Sequence, residues 1–315
     1  MNIVIMGATS HIAKGLIERF LQSGSDILQM YSRSPDTVRQ FLATIGKAGD
    51  GKHTICDNYQ KLTTTSCDVI INCIGVETRN SHNCDFTRYF TVTEEFDNLA
   101  INCLKIRNPD ALYISFSSGA VYGKGFLNPV DDDSANCIQV NRLARQDYYG
   151  IVRINAEAKH RAHEALRIVD LRIFSYFSRH INLTDGYFIT DVIEAIQQNK
   201  VLQTDSSNII RDYLHPDDLF GAVCACINAG GINRPIDVNS AKPVAKQEIL
   251  AYFSSAYGLK YEKRPSAQNI SATGAKDNYY STCAHTACIG FTPRYSSMDS
   301  IRHEAAIILK GPDAQ

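Results

Sequence analysis

The chain has 315 residues, of which 44% are hydrophobic and 21% charged, with a formal net charge of -1. That length can bury a large core in one α/β domain or two lobes. The near-zero charge gives no electrostatic reason to expect nucleic acid or an anionic membrane as partner. The apolar start at residues 2–6 is too short for a secretion signal, and no stretch approaches about 18 uninterrupted apolar residues, so a soluble, cytoplasmic protein is expected. Ten cysteines are scattered along the chain. Cys73, Cys103, Cys224 and Cys226 fall in apolar runs, where a thiol acts as a small hydrophobe. The cluster Cys283-Ala-His285-Thr-Ala-Cys288 has metal-ligand residue types but no matching pair elsewhere. A structural role, with no metal, is expected of it.

In chain order, residues 2–6 read as a buried strand, followed by Gly7-Ala-Thr-Ser10-His11-Ile12-Ala13 and an amphipathic helix with Leu16, Ile17, Phe20 and Leu21 on one side. Strand, small-residue turn and helix is the context that binds a dinucleotide pyrophosphate. Backbone N–H groups at the helix N-terminus then face the anion, and Gly7, Ser10, His11 and Ile12 are the candidate cofactor-binding residues. Ser10 and Ala13 stand where further glycines are usual, and both are small. A second strand, 27–31, runs into Ser32-Arg33 with no Asp or Glu to take the ribose hydroxyls. Arg33, with Ser32 and Lys14 near it, suits a 2′-phosphate; NADP is expected and NAD remains open. A strand at 53–57 ends on Asp57, a candidate for the adenine amino group. Another at 69–74 ends at Cys73-Ile74-Gly75, where the backbone can approach a cofactor.

A helix is predicted over 86–105 and a strand over 111–116, which runs into Ser117-Ser118-Gly119-Ala120-Val121-Tyr122-Gly123. Tyr149-Gly-Ile-Val-Arg153 then opens an amphipathic helix through Glu157, His160 and Glu164. Tyr149 and Arg153 are i,i+4 neighbours there, a pairing that suits a tyrosine exchanging a proton with a substrate oxygen. A strand at 168–174 follows, then helices at 187–198 and 219–228, with Asp217 or Asp218 as N-cap of the latter. A strand at 235–239 and helices at 246–257 and 298–309 close the pattern, Gly258 stopping the first of these helices. Alternating strands and helices predict an α/β fold of Rossmann type, a doubly wound parallel sheet. Residues 1–175 form the dinucleotide-binding domain, with 209–236 returning to it; 176–315 are mainly a smaller C-terminal substrate lobe.

These pieces in this order resemble the extended short-chain dehydrogenase/reductase family, in its sugar-nucleotide epimerase/dehydratase branch. The resemblance covers nearly the whole length. It rests on the turn at 7–13, Asn72-Cys-Ile-Gly75, Ser117-Ser118-x-x-Val121-Tyr122-Gly123, Tyr149-Gly-x-x-Arg153-x-x-x-Glu157, Arg211-Asp-Tyr-Leu-His-Pro-Asp-Asp-Leu219 and Gly290-Phe-x-Pro293. It implies a nucleotide-sugar substrate, with Ser118 and Tyr122 toward it, Ser118 on the reacting oxygen, and Tyr149 as the catalytic tyrosine. It puts Arg211 near the substrate phosphates; an ion pair with Asp212 or Asp217 is the other reading of Arg211. A homodimer through helices near 86–105 and 147–166 is implied as well.

Three departures shape the functional expectation. Arg153 stands where the family has a lysine that holds the nicotinamide ribose; it keeps the charge but not the geometry, and remains a catalytic and cofactor-binding candidate. Gly119-Ala120 replace the acidic pair of the 4,6-dehydratases, which argues against dehydration. His180 falls loosely where related GDP-fucose synthases carry an acid, although a plain loop residue is the more ordinary reading. The expected function is therefore NADP(H)-dependent reduction of a nucleotide 4-keto-deoxysugar. A 4-epimerase using NAD and a cofactor-binding protein with little catalysis are the alternatives.

Overall fold

The computed structural model describes residues 1–49, 51–76, 85–123, 126–264 and 277–310. The chain runs through β1 (Asn2–Met6), α1 (His11–Ser23), β2 (Ile27–Tyr31), α2 (Pro35–Thr44), β3 (His53–Cys56), β4 (Val69–Asn72), α3 (Thr87–Arg107), β5 (Leu112–Ser118), α4 (Arg145–Ala162) and β6 (Arg167–Ile173). It continues through β7 (Ser175–Tyr176), α5 (Phe188–Gln197), β8 (Val201–Asp205), β9 (Ile210–Arg211), β10 (Tyr213–Leu214), α6 (Pro216–Asn228) and β11 (Asn233–Val238). After these come β12 (Val244–Ala245), α7 (Lys246–Tyr257), β13 (Lys260–Arg264), β14 (Asn278–Tyr279) and α8 (Ser297–Lys310).

Seven strands form one sheet in the order β11-β6-β5-β4-β1-β2-β3, and each neighbouring pair is parallel. A parallel sheet needs both faces covered, and continuous apolar runs such as Ile3–Met6 supply both. Ile3 and Ile5 pack with Leu16 and Ile17 of α1 and Leu219 and Val223 of α6. Val4 and Met6 pack with Phe96, Ala100 and Leu104 of α3 on the other side. The strand order reverses between β1 and β4, which opens a crevice at their carboxyl ends, the place where such sheets bind ligands. A third apolar cluster, built on α5, α7 and α8, forms the core of the C-terminal lobe. Cys73, Cys103 and Cys226 are buried thiols, and Cys224 is partly buried.

Two local expectations change. β5 continues past Phe116, because Ser117 and Ser118 keep pairing with Arg172 and Ile173 of β6. Helix α6 begins at Pro216, and its N-cap is His215, whose Nδ1 accepts the Asp217 N–H at 3.1 Å. Neither aspartate caps it. Asp217 pairs with Arg19 at 2.6 Å. The buried Asp218 accepts the backbone N–H groups of Arg294 and Tyr295, docking the C-terminal segment. The parallel pairing of β8 with β13, and of β9 with β14, has no clear alternation in sequence to announce it.

Candidate active site

Gly7 turns the chain from β1 into α1 with φ +73°, a left-handed conformation that favours glycine. A Cβ there would lie 2.9 Å from Ile74 and 3.1 Å from the Cys73 backbone. The glycine therefore lets the turn nest against the end of β4 at the crevice. Ser10 caps α1, its hydroxyl accepting the Ala13 N–H at 3.2 Å, which leaves the N–H groups of His11 and Ile12 in the first turn. The His11 side chain is not available to a cofactor: its Nε2 bonds Ser178 Oγ at 2.7 Å, and its ring packs on Tyr176. Burial, with the His180 charge nearby, holds this imidazole down to about 3.

At the end of β2, Ser32 is buried and its hydroxyl accepts the Ser34 N–H, so it shapes the turn. Arg33 beside it is exposed, as is Asp57 after β3. Asn72 Oδ1 accepts the Ile74 N–H at 3.0 Å. This holds the Cys73-Ile74-Gly75 backbone at the crevice, while the Cys73 thiol itself is buried.

At the end of β5 two hydroxyls meet. Ser118, the last strand residue, is buried, with its Oγ 2.9 Å from the hydroxyl of Tyr279 on β14. Tyr279 is also buried, and desolvation pushes its phenol up, Tyr149 adding to the effect from close by. Helix α4 brings Tyr149 to this point because Gly150 has no side chain: a Cβ at Gly150 would lie 2.6 Å from the Ala120 carbonyl oxygen. Two turns further along α4, Glu157 accepts the Ser117 hydroxyl at 2.6 Å and a bidentate grip from Arg172, whose Nη2 lies 2.6 Å from Oε2. This buried linkage locks the register of α4 against β5 and β6.

Arg153 lies one turn after Tyr149, with its Cζ 5.2 Å from the Tyr149 ring centroid and Nη1 donating to the Phe116 carbonyl at 3.1 Å. Its Nε is buried with no hydrogen-bond partner, in a recess shared with Asn72, Ile74, Ser115 and Phe116. Arg211 of β9 stands across the site, its guanidinium 5.9 Å from the Tyr279 ring. Its Nη1 donates to the Ile210 carbonyl at 2.9 Å, while Asp217 pairs with Arg19 and the buried Asp212 accepts the Ser240 N–H. Burial pushes the Asp212 carboxyl up to about 7.

Two further side chains are engaged within the protein. The Tyr122 hydroxyl accepts Arg172 Nη1 at 2.7 Å and donates to the Asp237 carboxylate at 3.0 Å. His180 Nε2 meets Glu18 of α1 at 2.8 Å and its ring meets Phe41. Tyr279 was not anticipated, because no local pattern connects residues 161 positions apart.

The family model described as "NAD dependent epimerase/dehydratase family" matches residues 3–239. The chain belongs to this family. Solved structures with the same fold include a UDP-glucuronic acid 4-epimerase from Bacillus cereus with UDP-glucuronic acid and NAD. It is 16% identical, with TM-score 0.80, over 98% of this chain and 99% of that one. A UDP-glucose-4-epimerase from Stenotrophomonas maltophila with NAD and formylated UDP-arabinopyranose is 14% identical, TM-score 0.81, over 98% of each chain. A UDP-N-acetylglucosamine 4-epimerase from Methanobrevibacter ruminantium M1 with UDP-N-acetylmuramic acid is 15% identical, TM-score 0.81, again over 98% of each. At such identities the likeness is one of fold. No curated protein sequence matches the chain. The crevice at the carboxyl ends of the strands is the candidate dinucleotide site. The Gly7 turn, the first-turn N–H groups of α1 and the unpartnered Arg153 Nε fit such a group. No helix among the described residues is long and apolar enough to cross a membrane.

Proposed function

We propose that the protein is an NADP(H)-dependent oxidoreductase acting on a nucleotide-activated sugar, and that its reaction is reduction of the keto group of a nucleotide 4-keto-deoxysugar. The observation that carries this reading is the close approach of α4 to the end of β5: Gly150, next to Tyr149, lies against Ala120, two residues after Ser118. Bound at the Gly7 turn, the nicotinamide cofactor supplies a hydride to the substrate carbon. Ser118 donates a hydrogen bond to the oxygen on that carbon, and the Tyr149 hydroxyl delivers the proton that completes the alcohol. Arg153 holds a positive charge beside the tyrosine ring, and its partnerless Nε is suited to a ribose hydroxyl. Arg211, across Tyr279, takes the substrate diphosphate.

NADP is favoured by the end of β2, where exposed Arg33 stands in the place usual for an acid. Gly119-Ala120 after Ser118 offer no carboxylate for eliminating water. A 4-epimerase is the second reading, favoured by the epimerases and NAD complexes among the fold's solved relatives. We expect a homodimer through α3 and α4, and no nucleic acid or membrane partner.

The test mixes the protein with NADPH and a panel of nucleotide 4-keto-6-deoxysugars and follows the absorbance of the reduced cofactor. Consumption that disappears in Tyr149→Phe supports the reductase. Interconversion of nucleotide sugars with retained NAD and no net oxidation supports the epimerase instead. Tight cofactor binding without turnover on any substrate would make the protein a binding protein.

A further inference from the structure

Away from the crevice, two segments far apart in the chain are zipped together. The Val130 N–H donates to the Tyr280 carbonyl at 2.9 Å, and the Thr282 N–H to the Val130 carbonyl at 2.7 Å. Just beyond this join, Asp132 from one segment meets Cys283 and His285 from the other. One ligand atom of each lies within 4.8 Å of the other two. His285 Nε2 is 3.1 Å from Asp132 Oδ1, close to the roughly 3.3 Å that separates two ligands held about 2.0 Å from a tetrahedral zinc ion.

We propose that Asp132, Cys283 and His285 form a site for one zinc-type divalent cation, with water as the fourth ligand, that pins these two segments together. Thiolate, imidazole and carboxylate are the donors zinc takes, and three protein ligands with an open position is a known zinc arrangement. Two negative ligands balance the dication. The support behind the histidine is present too. His285 Nδ1 accepts the Asp237 backbone N–H at 3.4 Å and lies 3.6 Å from the fully buried Asp237 carboxylate; with a cation on Nε2 the ring proton sits on Nδ1, which then donates to that carboxylate, as metal-binding imidazoles commonly do. Asp237 is itself held by the hydroxyls of Tyr122 and Ser281, and Ser281 Oγ in turn accepts the Cys283 N–H at 3.1 Å. Cys288, the other cysteine of the sequence cluster, is exposed and lies near Cys226, outside the group.

The site has a structural consequence. The segment that carries Cys283 also carries Tyr279, whose hydroxyl meets Ser118. A cation bound here anchors that segment four residues from the contact.

The experiment strips the purified protein with a chelator and titrates it with Co(II), reading the thiolate-to-cobalt charge-transfer band and the visible bands of tetrahedral cobalt. One equivalent per chain, displaced by Zn(II), is expected, together with a higher Tm in Zn(II). Cys283→Ser should lose the thiolate band. Should that variant fail to fold, Asp132→Ala decides: Asp132 is 78% exposed, so the fold should tolerate the change while Co(II) binds about tenfold more weakly or worse. Cys288→Ser and Cys137→Ser should bind as the unchanged protein does. The proposal is overturned by wild-type protein that shows no thiolate band, by a band that survives Cys283→Ser, or by Asp132→Ala binding as tightly as wild type.

Discussion

Arg153 is the least ordinary side chain in the cleft. A lysine would reach the same space with a compact ammonium; the guanidinium instead spreads between the Phe116 carbonyl and the Tyr149 ring. Since the charge is common to both residues, Arg153→Lys should keep or raise turnover, read as kcat and as KM for the cofactor. Complete loss would show that the guanidinium has a role of its own. Tyr149→Phe should lower kcat by about 10²–10⁴-fold while cofactor binding survives, the range for removing a positioned acid–base group. Arg33→Asp should raise KM for NADPH and lower it for NADH, since a carboxylate repels a 2′-phosphate and accepts ribose hydroxyls; unchanged KM values for both would place Arg33 outside the cofactor site.

The catalytic hydroxyls depend on how α4 sits on β5 and β6. Gly150→Ala would drive a methyl into the Ala120 carbonyl, 2.6 Å away. Overpacking of this kind costs about 1–3 kcal/mol, and it also lifts Tyr149 away from Ser118. A fall in both Tm and kcat is expected, the second larger than stability alone explains. Lower down the same helix, Glu157 pairs with Arg172 of β6, their side chains 9% and 15% exposed. Glu157→Ala takes the bidentate carboxylate from Arg172, which keeps only Tyr122 and Asp237; the cost should be below the roughly 3–5 kcal/mol of an unpaired buried charge, measurable by denaturant unfolding. Neither contact can be read from helical periodicity: Gly150 is a weak helix former in local terms, and only the approach of Ala120 explains it.

Across the molecule, stability should follow one buried histidine. His160 of α4 bridges Asp97 of α3 at 2.7 Å and Asp170 of β6 at 2.8 Å. Burial opposes its charge, but the hydrogen bonds and charges of Asp170 and Asp97 outweigh it and raise the imidazole to about 9. A raised histidine stabilises fully below its unfolded value of about 6.5, and the effect is lost as pH climbs through about 9. Stability should therefore decline between those two pH values, by up to about 3 kcal/mol in all. His160→Gln should flatten the decline in a Tm-against-pH series; an equally steep decline in the variant would assign it to other groups.

The sequence by itself determined the sheet and its cofactor turn. Buried parallel strands must be continuously apolar, and a strand-to-helix turn that approaches a phosphate must be built from small residues; both demands act over a few neighbouring positions. Ser118 is expected only from the family resemblance, and Tyr149 from its i,i+4 spacing to Arg153 together with that resemblance. Contacts between distant segments were decided only by tertiary structure. Tyr122 sits where a substrate residue was expected, yet Arg172 and Asp237, from β6 and β11, draw its hydroxyl into the protein. Tyr279 reaches Ser118 across 161 positions, and Asp132 reaches His285 across 153. Nothing local constrains such pairs: the residues at each end satisfy their own strand or loop equally well without the partner, and only packing of the C-terminal segment against the carboxyl edge of the sheet brings them within bonding distance.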